Sequence, residues 1–146
     1  MKAVRVRLVV AGVLMAGWIG YLGFLALGHS KPIVVSRSQL LHASHYVKAD
    51  VIVDADNKPV ATVAVQDSFG ASRVVEKSIE IVNLVEVRLP NGKPLAGGSY
   101  FLPLNVLGPG QYRVASAVGI DAHSKCTAYP WTNEVERQVR EFVPAR

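Results

Sequence analysis

The chain has 146 residues, 50% of them hydrophobic and 18% charged, with a formal net charge of +5. That length suits one compact domain plus an appendage. The composition excludes disorder, collagen-like repeats and coiled coil, and a single Cys excludes a disulfide scaffold. The basic excess is local. Lys2, Arg5 and Arg7 supply +3, and the other 13 of the 16 Lys/Arg stand against 11 Asp/Glu, which leaves +2. The basic balance is therefore no argument for nucleic-acid binding.

The first element is the uncharged run Leu8–Leu27, LVVAGVLMAGWIGYLGFLAL. Twenty helical residues rise about 30 Å, the hydrocarbon thickness of a bilayer. The reading is a basic cytoplasmic flank over residues 1–7 and a transmembrane helix over residues 8–28. Lys2, Arg5 and Arg7 crowd the N-terminal side, which puts the N-terminus in the cytoplasm and the bulk of the chain outside. A cleaved signal peptide ending at Ala26-Leu27-Gly28 is the alternative, but a signal core is usually about 7 to 15 residues, so length favours a retained anchor. Gly12, Ala16 and Gly20 recur at four-residue steps with Gly23 one turn on. Small residues so spaced let two membrane helices approach closely, as a homodimer or with a partner membrane protein.

Residues 29–45 read as a linker and a first strand, Ile33–Arg37. A β-rich domain follows over residues 46–128. Tyr46–Val53 alternates Val47, Ala49, Val51 and Val53 with polar residues, the two-residue period of a half-buried strand. Asp56-Asn57-Lys58-Pro59 is a turn cluster, and Val60–Gln66 completes a hairpin. Ser78–Leu89 is a further strand, bent by a bulge near Asn83-Leu84 where the alternation slips phase. Pro90–Ser99 is a long loop. Tyr100–Val106 and Gln111–Val118 pair around Gly108-Pro109-Gly110. Residues 129–146 form a C-terminal helix packed on the sheet, capped by Asn133 with Glu136 three residues on, and stopped by Pro144. Val135, Val139, Phe142 and Val143 share its apolar face, and Tyr129-Pro130-Trp131 anchors its entry. The fold class expected is an N-terminal transmembrane helix plus a small antiparallel barrel or sandwich of five or six strands with one C-terminal helix.

Chemistry-bearing residues are few. His42-x-x-His45 with His123-x-x-Cys126 offers four nitrogen and sulfur donors, the number of a tetrahedral zinc site, but the pairs lie some 80 residues apart. No metal and no cofactor is expected, and these four residues are the weak candidates. Asp54-Ala55-Asp56-Asn57 opens like a calcium loop, yet Pro59 stands where Gly is required and Val65 where the bidentate Glu belongs. The chain has no G-x-S-x-G, H-E-x-x-H, phosphate-binding or G-x-G-x-x-G motif. Cys126 near His123 could serve as a nucleophile only with a lowered pKa.

Tyr100–Leu104 (YFLPL), Gly110–Val114 (GQYRV) and Tyr129–Thr132 (YPWT) before a short charged helix carry one resemblance. The chain resembles short uncharacterised bacterial single-pass membrane proteins with a β-rich extracytoplasmic part ending in a Tyr-Pro-Trp-Thr segment and a short helix. The resemblance implies an architecture and no activity. The expectation is a non-catalytic, membrane-anchored interaction or assembly module of the cell envelope, with the lipid bilayer as one partner and nucleic acid not among them. A tethered β domain binding a small ligand or metal is the alternative, and an anchored hydrolase a distant third.

Overall fold

The computed structural model describes residues 2–29, 34–117 and 125–143, without side chains at residues 2–9, 25–29 and 125. The chain divides into two compact units, residues 1–33 and 34–146. The first contains one helix, α1 (Lys2–His29). Its described side chains are all exposed, among them Val13, Leu14, Trp18 and Phe24. Among the described residues no helix is long and apolar enough to cross a membrane. Those described side chains cover only residues 10–24, about 22 Å of helix, and both ends of the run 8–27 lie outside them.

In the second unit, period-two alternation becomes a closed barrel. The strands are β1 (His45–Val51), β2 (Thr62–Phe69), β3 (Ser78–Ile81), β4 (Gly98–Gly108) and β5 (Gln111–Val114). They lie in the order β1-β2-β3-β5-β4, and β4 pairs again with β1. Closure removes the unpaired edges that would otherwise template aggregation. Only β3 and β5 run parallel; the other barrel pairs are antiparallel. This is the connectivity of a five-stranded Greek-key barrel of the OB type. The inward positions Val47, Ala49, Val51, Val63, Ile79, Ile81, Leu102, Leu104 and Val114 fill the core. A bulge between Lys48 and Ala49 lets β1 serve both neighbours.

The hairpin read at residues 46–66 forms as expected. Asp54 Oδ1 accepts from the backbone N–H groups of Asp56 and Lys58, each at 2.9 Å, and Asn57 takes a positive φ of 57°. The calcium-like segment is thus a side-chain-tied turn. Three expectations need correction. No strand forms at Ile33–Arg37, where Ile33 itself lies outside the described residues. Instead Ser36 caps a short helix, α2 (Arg37–His42), its side chain accepting from Gln39 N. The stretch Ser78–Leu89 is not one bent strand, because β3 ends at Ile81 and a 3-10 turn occupies Leu84–Glu86. The phase slip at Asn83-Leu84 marked a helical turn rather than a bulge. The last helix, α3 (Asn133–Phe142), is capped by Thr132, not Asn133: Thr132 accepts from Val135 N, which leaves Glu136 to pair with Arg140 at 2.7 Å. Pro144 lies outside the described residues.

Beyond the barrel, β6 (Ser116–Ala117) pairs with β7 (Lys125–Cys126), and β8 (Tyr129–Pro130) extends the sheet beside β4. Strand β4 is buried on both faces. Tyr100, Leu102 and Leu104 face the barrel core, whereas Phe101 lies in a second cluster with Val35, Leu40, Tyr129, Val135, Val139 and Val143. The fold is therefore a barrel with an outer apolar layer on one side, made by α2, β8 and α3.

Gly70 links the layers. Its φ of +82° suits glycine, and a Cβ there would lie 3.2 Å from Val143 Cγ1. Leu102→Ala should cost about 2–5 kcal/mol as a buried cavity, and Gly70→Ala about 1–2 kcal/mol from left-handed strain. Denaturant unfolding followed by far-UV circular dichroism measures both.

Candidate functional site

The outer layer is assembled by buried polar side chains. Gln39 has no solvent exposure and Gln138 only 4%, so their amides must find partners inside the protein. Gln39 Nε2 donates to Ala115 O at 2.8 Å and to Thr127 O at 2.7 Å. Its Oε1 accepts from the Tyr129 hydroxyl at 2.7 Å, and that hydroxyl accepts from Ser36 N at 3.1 Å. Gln138 Oε1 accepts from Val34 N and Val35 N, both at 3.1 Å. One clamp thus holds residues 34–39 to β8, to α3 and to the strand end after β5.

Around the clamp runs an aromatic row. Phe101 contacts Tyr46 (centroids 6.4 Å apart), Phe69 (6.3 Å) and Tyr129 (6.4 Å). Phe69 stacks on Trp131 at 5.7 Å, and Lys48 Nζ lies 5.0 Å from the Trp131 centroid. Trp131 N donates to Ser99 O at 2.9 Å. These contacts put Trp131 to packing use at the entry of α3. At the rim, the Arg37 guanidinium sits 4.5 Å from the Phe142 ring centroid. Arg37, Leu40, Leu41, Glu141 and Phe142 line a cavity of about 400 Å³, and Leu41 is 84% exposed.

The opposite side is chemically different. The outward residues of β2, β3 and β5 are Thr62, Ala64, Gln66, Ser78, Glu80, Gln111 and Arg113, all exposed. This face carries both signs of charge and no ring on which a base could stack.

The residues singled out from sequence fall in separate places. His42 is exposed on α2, its Nδ1 donating to Ser38 O at 2.8 Å. His45 opens β1, with Nδ1 2.9 Å from Ser44 Oγ and its ring edge-on to Tyr112 at 5.9 Å. Cys126 is a half-buried free thiol on β7 that accepts from Asn83 Nδ2 at 3.4 Å. Burial pushes its pKa up, against the lowering effect of Arg113. That is the reverse of what an activated thiolate needs. His123 lies outside the described residues. Among the described residues, no three His, Cys, Asp or Glu side chains gather closely enough to hold a metal ion. On α1, a Cβ added at Gly12, Gly20 or Gly23 would meet nothing within 4 Å, and Ala16 is exposed.

Sequence reasoning missed Gln39 and Gln138, and read Asn83 only as the place of a bulge. Asn83 is the turn residue after β3, and its amide mimics a strand neighbour: Oδ1 accepts from Val114 N at 2.8 Å and Nδ2 donates to Val114 O at 3.2 Å. Gln138 left a signal as a polar residue inside the Val135–Val139 apolar stripe, and Asn83 in the phase slip after β3; Gln39 left none. Comparison with protein-family models, with curated proteins and with solved structures finds no match.

Gln39→Leu would leave the Ala115 and Thr127 carbonyls and the Tyr129 hydroxyl short of partners. A loss of about 2–4 kcal/mol is expected in denaturant unfolding. Burial raises the Tyr129 pKa above its ordinary value near 10, against a smaller lowering by Ser36 N–H. The neutral phenol therefore stabilises the fold fully below pH 10, and that contribution is lost as pH rises through the folded-state pKa. Alkaline unfolding should become less steep in Tyr129→Phe, which also forfeits about 1 kcal/mol at neutral pH.

Proposed function

We propose that the protein is a membrane-anchored interaction or assembly module of the cell envelope, non-catalytic, with its barrel outside the cytoplasm. The observation that carries this reading is a 28-residue helix whose described side chains are exposed and largely apolar. Exposed apolar surface on that scale is costly in water and marks a membrane or partner contact. The sequence run Leu8–Leu27 has the length of a span, and the positive residues before it orient the N-terminus inward. The resemblance to short bacterial single-pass membrane proteins supports the same architecture. The OB-type barrel adds no chemistry of its own, since fold does not imply function.

On this reading α1 is also a contact element. Gly12, Ala16, Gly20 and Gly23 would allow close approach of a second copy or of a partner membrane protein.

A second reading, a tethered β domain for a small ligand, draws on a cavity of about 480 Å³ lined by Arg88, Leu89, Pro90, Asn91, Gly92 and Thr127. It lies beside the loop read at Pro90–Ser99. The two readings part on gentle solubilisation: an assembly module brings a stoichiometric protein partner, whereas a ligand-binding domain is purified alone and stabilised by its ligand.

Alkaline carbonate should leave the full chain in the membrane pellet, and a C-terminal tag should be cut by protease added to intact spheroplasts. Release into the supernatant would overturn the anchor. Gly20→Ile should weaken self-association of the full chain in a membrane reporter. An unchanged signal would remove the helix-pairing reading.

A further inference from the structure

We infer that the rim formed by α2 and the end of α3 rests on the bilayer surface, with Leu41 and Phe142 in the interfacial layer and Arg37 on lipid phosphate. This rests on the membrane reading above and deepens it.

Residues 30–33 join His29 to Val34, and five peptide links reach at most about 18 Å whatever their path. Val34 is not free to drift from the barrel, because its N–H and that of Val35 are held by Gln138. If α1 spans the bilayer, the clamped segment is confined close to the headgroups, and α2 is the first element after it.

The chemistry of α2 matches that position. In Arg37–His42 the apolar residues divide. Leu40 is buried at 5% exposure, while its neighbour Leu41 stands 84% exposed. An outward leucine gains nothing from its own core, but it removes apolar surface from water when it enters an interfacial layer. Phe142 is half-buried beside it, and aromatic side chains favour that layer. Arg37 lies over the Phe142 ring, so the stem is covered and the guanidinium edges remain available to phosphate. Exposed His42 sits on the same helix. Glu141 opposes the attraction, since it lines the same cavity, so the contact is mainly apolar with a modest preference for anionic lipid.

The test uses the full chain, Cys126→Ser, in lipid nanodiscs with a polarity-sensitive fluorophore on Leu41→Cys or on Ile52→Cys. Ile52 is also exposed, at 62%, but follows the far end of β1. The Leu41 label should emit to the blue and be quenched by spin-labelled lipid, while the Ile52 label stays water-like. Adding Arg37→Gln should lower the docked-to-free ratio roughly fivefold in discs of 30% phosphatidylglycerol, about 1 kcal/mol per basic residue near an anionic surface. It should change little in pure phosphatidylcholine. Water-like emission at residue 41 in chains that remain in the discs overturns the contact and leaves the anchor intact. Chains that do not enter the discs overturn the anchor itself. A blue shift that vanishes at one chain per disc assigns the rim to a second copy and overturns the lipid proposal. Photoactivatable lipid headgroups applied to the unmodified chain give an independent reading. Crosslinks to Arg37–His42 support docking, and crosslinks confined to α1 refute it.

Discussion

Three buried polar side chains, Gln39, Tyr129 and Gln138, decide how the outer half of this domain is put together. Each would be costly to bury alone, and each is satisfied only when residues 34–39, β8 and α3 occupy one mutual arrangement. No buried side-chain nitrogen or oxygen among the described residues lacks a partner. Apolar contacts among Val35, Leu40, Phe101 and Val139 supply attraction but little direction. The amides supply direction. They also hold the backbone at Val34 and Val35, the first described residues of the second unit.

The barrel gives this clamp a rigid floor. Closure through β1–β4 leaves β4 enclosed between the core and the outer layer, with Phe101 on one face and Leu102 on the other. The faces of this barrel are unlike one another. The β2–β3–β5 side is polar and mixed in charge. The α2–α3 side is aromatic underneath and apolar at its rim, with cations lying over rings at Trp131 and Phe142.

Much of the barrel was legible in the alternation of small β-branched residues. Val47, Ala49 and Val51 face the core as period two requires, and Asp54-to-Pro59 turns the chain as its residue types demand. The misreadings fall where side chains bond to backbone. At Ser36 and at Thr132 a side chain bonds to backbone three residues on and starts a helix, a local competitor to the regular pattern, whereas at Asn83 the amide bonds to Val114, 31 residues away, which no periodic reading can register. The candidate site was less legible still. Gln39 and Gln138 resemble surface glutamines in sequence, because an amide's burial depends on partners 76 to 104 residues distant.

The sequence by itself determined an apolar N-terminal run with basic residues before it, a β-rich remainder with nearly balanced charge, and an amphipathic last helix. These are local properties, set by composition and by periods of two and 3.6 residues. Only the tertiary structure decided that five strands close with β3 parallel to β5, that β4 is covered on both faces, and that His42, His45 and Cys126 serve separate hydrogen bonds. Only it turned a presumed N-terminal strand into a helix that presents Leu41 to solvent. The physical reason is that closure and burial are fixed by contacts between residues far apart in sequence, whose mutual fit no local pattern encodes.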